Sequence, residues 1–397
     1  MGKHKGNRVR KLCRVLLWVF VVLSISSGLT VRTYAVDIEE IKVNGITEQS
    51  VMEEPDFGEI DKALEQIQMD YDMDFGQVFR DIMSGKEALN VSLIYEKVLK
   101  ILTSEVVENR FAITSVILLS VLAAVLSNIT TAFQNRQIAK IAFYIMALLM
   151  AVLLLQSMKT TIEIATKTVE NLVMFMEALL PAYFMGVAFV SGSASASTFY
   201  GTALLAIFLV EAILATVVLP MIQIYIILII INHIVGEGIL EQLLKLLKSI
   251  IQYILKTVIA VVIGINTIQS MFTPVLHSVK TSMLTGAVSM LPGMSGVTEA
   301  TWNTVVGSAV LIKNAVGAAA VCVMVFIVLV PIVKLTVIMF LYRLAAAFAG
   351  GLAANGTAEC IGGMGDGAGM LLKTVVTSIV LFMITIAIVT VSTNGGY

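Results

Sequence analysis

Five charged side chains interrupt the long apolar runs of this sequence, and they are the residues best placed to do chemistry. They are Glu177, Glu211, Lys313, Lys334 and Arg343. A charge at the centre of a membrane-spanning helix costs roughly 2.5–3.5 kcal/mol on insertion scales, so such side chains rarely face lipid. They could line a polar path for a solute, or meet partners across a subunit interface. The structural alternative is ion pairing, or side chains that reach the membrane surface from helix ends.

Signatures of enzymes and of cofactor or metal sites are weak. The three histidines, His4, His233 and His277, do not form a cluster, and His233 with Glu237 is a lone pair. The glycine-rich residues 362–369 lack the lysine of a phosphate loop, and we predict a flexible cytosolic connection there. We expect no catalytic, cofactor-binding or metal-binding residues, no enzymatic activity and no nucleic-acid partner. Any ATP would be bound by a separate subunit.

Composition indicates that these charges lie in an integral membrane protein. Hydrophobic residues make up 58% of the chain, charged residues 13%, and the mean hydropathy is +0.94, whereas soluble domains carry roughly 25% charged residues. The charges are segregated, since the segment from Val36 to Arg110 holds 18 acidic and 7 basic residues. A small acidic region therefore precedes a membrane domain over residues 109–397.

The first 35 residues have the pattern of a secretory signal peptide. Six basic residues precede a short apolar core, Val15 to Leu23, and Thr33-Tyr34-Ala35 offers a small-residue cleavage site. The alternative is an uncleaved first membrane helix. In both cases Val36 and the residues after it lie outside the cytosol.

Residues 36–108 are predicted to be extended or disordered up to about Asp56 and helical beyond it. Apolar residues recur at helical spacing in three stripes. The stripes are Ile60, Leu64, Ile67 and Tyr71; Phe75, Val78, Phe79 and Ile82; and Ile94, Val98, Ile101, Leu102 and Val106. They could pack on each other, lie on the membrane surface or receive a partner protein.

The apolar runs of the membrane domain predict six to nine crossings. The clearest are Phe111 to Phe133, Ile138 to Met158, Val169 to Val190, Phe199 to Leu219 and Met221 to Val235. The loop after the first run carries Arg136 and Lys140, which the positive-inside rule places in the cytosol.

Four proline steps indicate an internal duplication. Pro181 and Pro220 are followed at a spacing of 111 residues by Pro292 and Pro331. We predict helix breaks at all four, in two parallel repeats at about 136–235 and 248–348, with a final helix at about 371–391. Ser193 and Gly365 are then both cytosolic. The predicted fold class is an all-α polytopic membrane protein with two parallel repeats of proline-broken helices and a small helical extracytoplasmic region.

The second repeat resembles a known family. The matching segments are Met290–Met294, Thr298–Thr301, Leu311–Gly317, Pro331–Leu335 and Tyr342–Ala347. Together they resemble the stage III sporulation protein AE family, and the most specific of them contains Lys313 and Asn314. The likeness covers about Phe75 to the C-terminus.

The resemblance implies a multi-pass protein of the mother-cell membrane that engulfs the forespore in an endospore-forming bacterium. There it would be a subunit of a channel complex, similar in parts to secretion systems, that supports forespore development and late forespore transcription. Its implied partners are the other membrane subunits of that complex and membrane lipid. The alternative is a stand-alone secondary transporter of a small solute or ion, with a path lined by Glu177, Glu211 and Lys313.

Overall fold

A computed structural model describes most of the membrane domain and two short helices before it. The described residues are 57–67, 74–85, 100–101, 103–107, 110, 114–115, 117–118, 121, 136–191, 193–235, 240–288, 295–352 and 356–393. Their regular structure is helical, and no strand occurs among them. The signal peptide, the acidic linker and Pro292 lie outside these residues, as does most of the predicted span Phe111 to Phe133.

Two short helices precede the long ones. Helix α1 is Gly58–Gln66 and helix α2 is Phe75–Met83. The Asp74 side chain accepts from the Gln77 N–H at 3.0 Å, and Asp61 Oδ1 accepts from the Phe75 N–H at 2.9 Å. These bonds satisfy N–H groups that the first turn of α2 would otherwise leave unpaired.

The long helices follow in order along the chain. They are α3 (Arg136–Ser191), α4 (Ser193–Leu209), a π-helical segment (Val210–Val218), α5 (Leu219–Val235), α6 (Glu241–Val288), α7 (Ser295–Leu352) and α8 (Thr357–Ser392). Five stretches within them are long and apolar enough to cross a membrane: Tyr144–Ala188, Ala196–Val235, Glu241–Ile268, Gly307–Gly351 and Thr357–Ser392. The chain is therefore a multi-pass membrane protein.

Two predicted spans form one helix. Ile138 to Met158 and Val169 to Val190 both belong to α3, which continues through the polar residues between them. That link contains no glycine or proline, and the hydroxyls of Thr161 and Thr168 donate to carbonyls four residues earlier within the helix. Nothing in the link ends a helix, so α3 is 56 residues long.

The prolines differ from prediction at two positions. Pro181 and Pro331 lie inside α3 and α7, where the helix continues instead of breaking. Each proline removes one backbone hydrogen bond, but the neighbours Leu180 and Ala182 are buried, as are Val328 and Leu335. Packing on both sides holds each helix together across its proline.

Pro220 does follow an irregular stretch of helix. It is the second residue of α5, directly after the π segment, and the Leu219 N–H donates to the Leu214 carbonyl five residues back. The widened turns take up the misfit that a proline imposes on an α-helix.

The long helices form an antiparallel bundle. The Tyr342 side chain is hydrogen-bonded to Ser157, and the backbone of Gly186 packs on Lys313, so α3 and α7 run in opposite directions. Helices α7 and α8 are also antiparallel, because Met339 packs at Gly369 while Gly317 packs at Thr390.

The bundle has two ends that can be defined by their side chains. The basic end holds His233, Lys248, Arg343 and Gly356, and the far end holds Gly186, Lys313 and Thr393. The first predicted repeat is a helical hairpin of α3 with α4–α5, whereas the described residues of α6 in the second repeat pack mainly on α8 and α5 and not on α7. Helix α4 begins twelve residues after Pro181 but α7 begins three residues after Pro292, so the turns are out of register with the 111-residue spacing.

The prediction of a flexible glycine-rich connection is wrong. Residues 362–369 lie inside α8, which begins at Thr357, fourteen residues before the predicted start of the final helix. A Cβ atom at Gly363 would lie 2.7 Å from Ile229 Cδ1, and one at Gly367 would lie 2.9 Å from Ile226 Cγ1. The glycines let α8 approach its neighbours closely, as small residues do between membrane helices.

The N-terminal helices pack against this bundle. Phe57, Phe75 and Phe79 form an aromatic group, and the Phe75 ring centroid lies 6.3 Å from that of Phe175 in α3. Ile60 and Leu64 of α1 are also buried. Of the three alternatives for the apolar stripes, those of α1 and α2 pack on each other and on the long helices.

Candidate functional site

Lys313 lies buried at the far end of the bundle. Its Nζ atom donates to the Thr390 carbonyl at 3.3 Å and to the Thr393 hydroxyl, both at the C-terminal end of α8. The last carbonyls of a helix carry partial negative charge, so a cation is stabilised there. Lys313 therefore joins α7 to the end of α8.

A second hydrogen bond extends this polar group to α3. The hydroxyls of Tyr183 and Thr390 lie 2.7 Å apart, so α3, α7 and α8 meet through polar atoms at one place. The neighbouring Asn314 Oδ1 is buried and makes no hydrogen bond to the described residues. The group is an anchor between helices, with no carboxylate among the contacts described above.

Arg343 belongs to an ion-pair network at the basic end. Asp366 of α8 lies 2.5 Å from Lys248 of α6 and 3.4 Å from Arg343 of α7, each measured from carboxylate oxygen to side-chain nitrogen. One carboxylate thus holds two cations and ties three helices together. Sequence reasoning missed Asp366 because it lies in the glycine-rich stretch that was expected to be a loop.

Lys334 pairs with a residue that precedes the membrane domain. Its Nζ atom lies 3.7 Å from a carboxylate oxygen of Glu105, whose side chain is 5% exposed. That distance is too long for a hydrogen bond but within ion-pair range. The contact fixes the segment 103–107 to α7, three residues after Pro331.

Glu177 and Glu211 both lie on the outside of the bundle. Both side chains are exposed, Glu177 on α3 and Glu211 in the π segment. Among the described residues no cation lies within ion-pair distance of either carboxylate. We call Glu177 and Glu211 the carboxylate pair.

The carboxylate pair and Lys313 do not share one path. Gly186 faces Lys313 and lies nine residues after Glu177 on α3. Nine residues turn an α-helix by half a revolution beyond two full turns, so Glu177 and Lys313 lie on opposite sides of α3. The arrangement separates an outward acidic surface from an inward basic anchor.

Most of the chain matches one protein family. A family model described as stage III sporulation protein AE matches residues 73–393, which include α2 to α8 and every polar residue of the candidate site. The chain belongs to the stage III sporulation protein AE family. The resemblance seen in the sequence is thereby confirmed, and a role in sporulation follows.

A curated relative from this family agrees with the match. Stage III sporulation protein AE of Bacillus subtilis (strain 168) is 22% identical over 284 residues, which cover 71% of this chain and 71% of the relative. No solved structure matches the chain.

Proposed function

We propose that this protein is an integral membrane subunit of the channel complex that links mother cell and forespore during sporulation. The observation that carries the proposal is the family match over residues 73–393, which takes in every long helix of the bundle. In this role the protein supports forespore development and late forespore transcription. It resides in the mother-cell membrane and has no catalytic activity of its own.

The placement of polar residues favours a structural subunit over a stand-alone transporter. Lys313, Arg343 and Lys334 each join two or more parts of the chain. A solute path lined by Glu177, Glu211 and Lys313 would need all three on one side of α3, and they lie on two. The proposed role of these cations is to hold the subunit rigid within the complex.

Orientation forms part of the same proposal. The basic end carries Lys248 and Arg343, and Arg136 and Lys140 open α3, which by the positive-inside rule puts this end in the cytosol. Helices α3 and α6 then both enter the membrane from this side, as parallel repeats require. The acidic region up to α2 is then outside the cytosol, whereas Glu105 reaches into the depth of the bundle, because its partner Lys334 lies nine residues from Arg343 and 21 from Lys313.

Copurification from sporulating cells tests the proposed function. An affinity-tagged full-length protein, solubilised in mild detergent, should recover the other membrane subunits of the channel complex in fixed ratio. An equally tagged multi-pass protein of the same membrane, unrelated to sporulation, serves as the control. Recovery of the protein alone, together with solute movement by the purified protein in liposomes, would overturn the proposal in favour of a transporter.

A further inference from the structure

One side of α3 is polar along much of the membrane domain. No leucine, isoleucine, valine, methionine or aromatic residue between Leu155 and Met185 is exposed. The exposed charged residues of this stretch are Lys159, Glu163, Lys167, Glu170 and Glu177. They recur at spacings of three, four and seven residues, so they lie on one side of the helix. We call these five residues the α3 stripe.

The depth of the α3 stripe can be compared with that of α6. Ser157 is hydrogen-bonded to Tyr342, and the next residue of α7, Arg343, shares the carboxylate of Asp366 with Lys248. Ser157 of α3 and Lys248 of α6 therefore lie at one level, which we call the Asp366 level. Both helices run from it toward the far end. Their described residues each pack on α8 and have little contact with each other, so α3 and α6 form different sides of the bundle.

These two sides have opposite character at equal depth. Glu170 of α3 and Val261 of α6 each lie 13 residues beyond the Asp366 level, which is about 20 Å along the helix axis. Glu177 and Ile268 each lie 20 residues beyond it, about 30 Å along the axis. Val261 and Ile268 are 42% and 58% exposed, and all four residues belong to stretches apolar enough to cross a membrane. Hydrocarbon suits the α6 side chains but cannot solvate the carboxylates.

Helices α1 and α2 indicate what meets the α3 stripe. Helix α1 packs on α3 and α2 packs on α7, and the ring centroids of Phe75 and Phe175 lie 6.3 Å apart. Phe175 is two residues from Glu177, so the short helices lie at the depth of the stripe. The side chains of Glu59 and Lys62 on α1 are 79% and 68% exposed. Helices with charged outer surfaces require water, so water reaches this side of the bundle at the depth where lipid suits α6.

We propose that the α3 stripe lines a water-filled passage through the membrane, formed between this subunit and its neighbours in the complex. The inference rests on the proposed function and adds to it the surface along which a solute moves. The passage lies outside the helical bundle, and Lys313 faces the other side of α3. The first four charges of the stripe alternate in sign, so they give a hydrated wall without the single-sign field that selects anions or cations. Polar solutes of either charge are the expected cargo.

Cysteine reactivity tests whether water reaches the α3 stripe. Single cysteines replace Glu170 and Glu177, and at matched depths Val261 and Ile268, in a full-length chain whose native cysteines are serine. Membranes from sporulating cells are treated with N-ethylmaleimide, which crosses lipid but reacts with the thiolate that forms in water. We expect the two α3 cysteines to react at least about tenfold faster than the two α6 cysteines. A chain that keeps only Cys360, which is 3% exposed, gives the rate of a buried thiol.

An apolar stripe tests whether the solute uses this surface. Lys167→Leu combined with Glu170→Leu removes two exposed charges, and an apolar wall favours loss of water from a narrow passage. We expect loss of heat-resistant spores, while the variant is still recovered with the other subunits of the complex. Val261→Leu, on the α6 side, is the control and should give the normal number of spores. Circular dichroism of the purified variants verifies that each is folded.

Three outcomes would overturn the inference. Slow reaction of the α3 cysteines would show that protein or lipid covers the stripe. Reaction of the α6 cysteines as fast as those of α3 would show that water surrounds the bundle at this depth. Normal spore numbers in the double leucine variant would show that the solute moves elsewhere. The reaction rates do not depend on which proteins copurify, so the proposed function can fail while the stripe proves accessible to water, and the reverse.

Discussion

The Nζ atom of Lys313 in α7 lies 3.3 Å from the carbonyl oxygen of Thr390 in α8, and the same atom donates to the hydroxyl of Thr393. A buried cation thus closes the C-terminal end of the last long helix. The hydrogen bond between the hydroxyls of Tyr183 and Thr390 brings α3 into the same contact. These bonds make Lys313 a structural residue whose charge is matched by a helix end.

Removing the charge of Lys313 should weaken the bundle. Lys313→Met keeps the length of the side chain and leaves the α8 carbonyls without their donor, so we expect a loss of about 1–3 kcal/mol of unfolding free energy. Thermal unfolding of the detergent-solubilised protein measures this loss of stability. Lys373→Met, at an exposed position of α8, is the control and should leave the midpoint unchanged. Equal midpoints for the two variants would contradict the structural role.

Close packing of α8 on α5 makes a second prediction. Gly363→Ala places a methyl group 2.7 Å from Ile229 Cδ1, so one of the two helices must shift and the variant should unfold at lower temperature. Ile229→Val deletes the clashing methyl and should recover part of the loss in the double variant. Gly264→Ala brings its new Cβ within 4 Å of no side chain beyond its chain neighbours and of no other helix, and is the matched control. If the valine gives no recovery, the contact is not the cause.

The network around Asp366 should show coupling between helices that are distant in sequence. Asp366→Asn leaves Lys248 and Arg343 without their shared carboxylate, and we expect a loss of about 1 kcal/mol because all three side chains are partly exposed. A double-mutant cycle of Asp366→Asn with Lys248→Met measures the coupling through unfolding midpoints. Addition of salt should reduce it. Strict additivity of the two variants would show that the pair contributes nothing.

Asp61 gives the packing of α1 against α2 a pH dependence. Burial raises the pKa of the Asp61 carboxyl above its ordinary value, and the hydrogen bond from the Phe75 N–H offsets part of that effect. A raised pKa in the folded state means that ionisation opposes the packing, so stability present at low pH is lost as pH rises through the folded pKa. Asp61→Asn keeps an oxygen acceptor and should remove this dependence. Hydrogen exchange of the α2 amides measures this pH dependence between about pH 3 and 6, the range around an ordinary carboxyl pKa. Asp81→Asn is the control. An unchanged pH profile in Asp61→Asn would assign the dependence to another group.

Hydropathy patterns along the sequence predict much of this structure. The features they did not predict depend on which helices become neighbours in space. The length of the apolar runs predicted membrane-spanning helices, and the rarity of charge within them singled out Lys313 and Arg343. Their partners, Thr390 and Asp366, could not be chosen from sequence, because a periodic pattern does not show which helices become neighbours. Asp366 was also hidden by its glycines, which suit a loop and a closely packed helix equally well.

The continuity of α3 was missed for a different reason. Its polar link around Glu163 has the composition of a short loop, and hydropathy alone divides the helix there. Four of the ten residues of the link are threonine, a weak helix former, but neither glycine nor proline, the residues that most strongly oppose a helix, occurs among them. Backbone chemistry, and not hydropathy, decides where such a helix ends.

That continuity changes the expected membrane topology. A helix without interruption crosses a bilayer once, so Ser193, which follows α3, must lie on the opposite side from Arg136, which begins it. The earlier expectation that Ser193 is cytosolic required two crossings within α3. With the basic end in the cytosol, Ser193 and Gly293 are expected outside, and Gly236 and Asn355 inside.

Single cysteines decide between these topologies. Each of the four positions is replaced by cysteine in a chain whose Cys13, Cys322 and Cys360 have been changed to serine, and a membrane-impermeant maleimide is applied to intact and to permeabilised cells. We expect Ser193→Cys and Gly293→Cys to react in intact cells, and Gly236→Cys and Asn355→Cys only after permeabilisation. Reaction of Ser193→Cys and Gly236→Cys from the same side would show that the segment from α4 to α5, which lies between them, does not cross the membrane once. If all four cysteines show the opposite accessibility, successive helices still cross the membrane in alternate directions, but the basic end lies outside the cytosol. The number of crossings and the orientation are therefore tested separately.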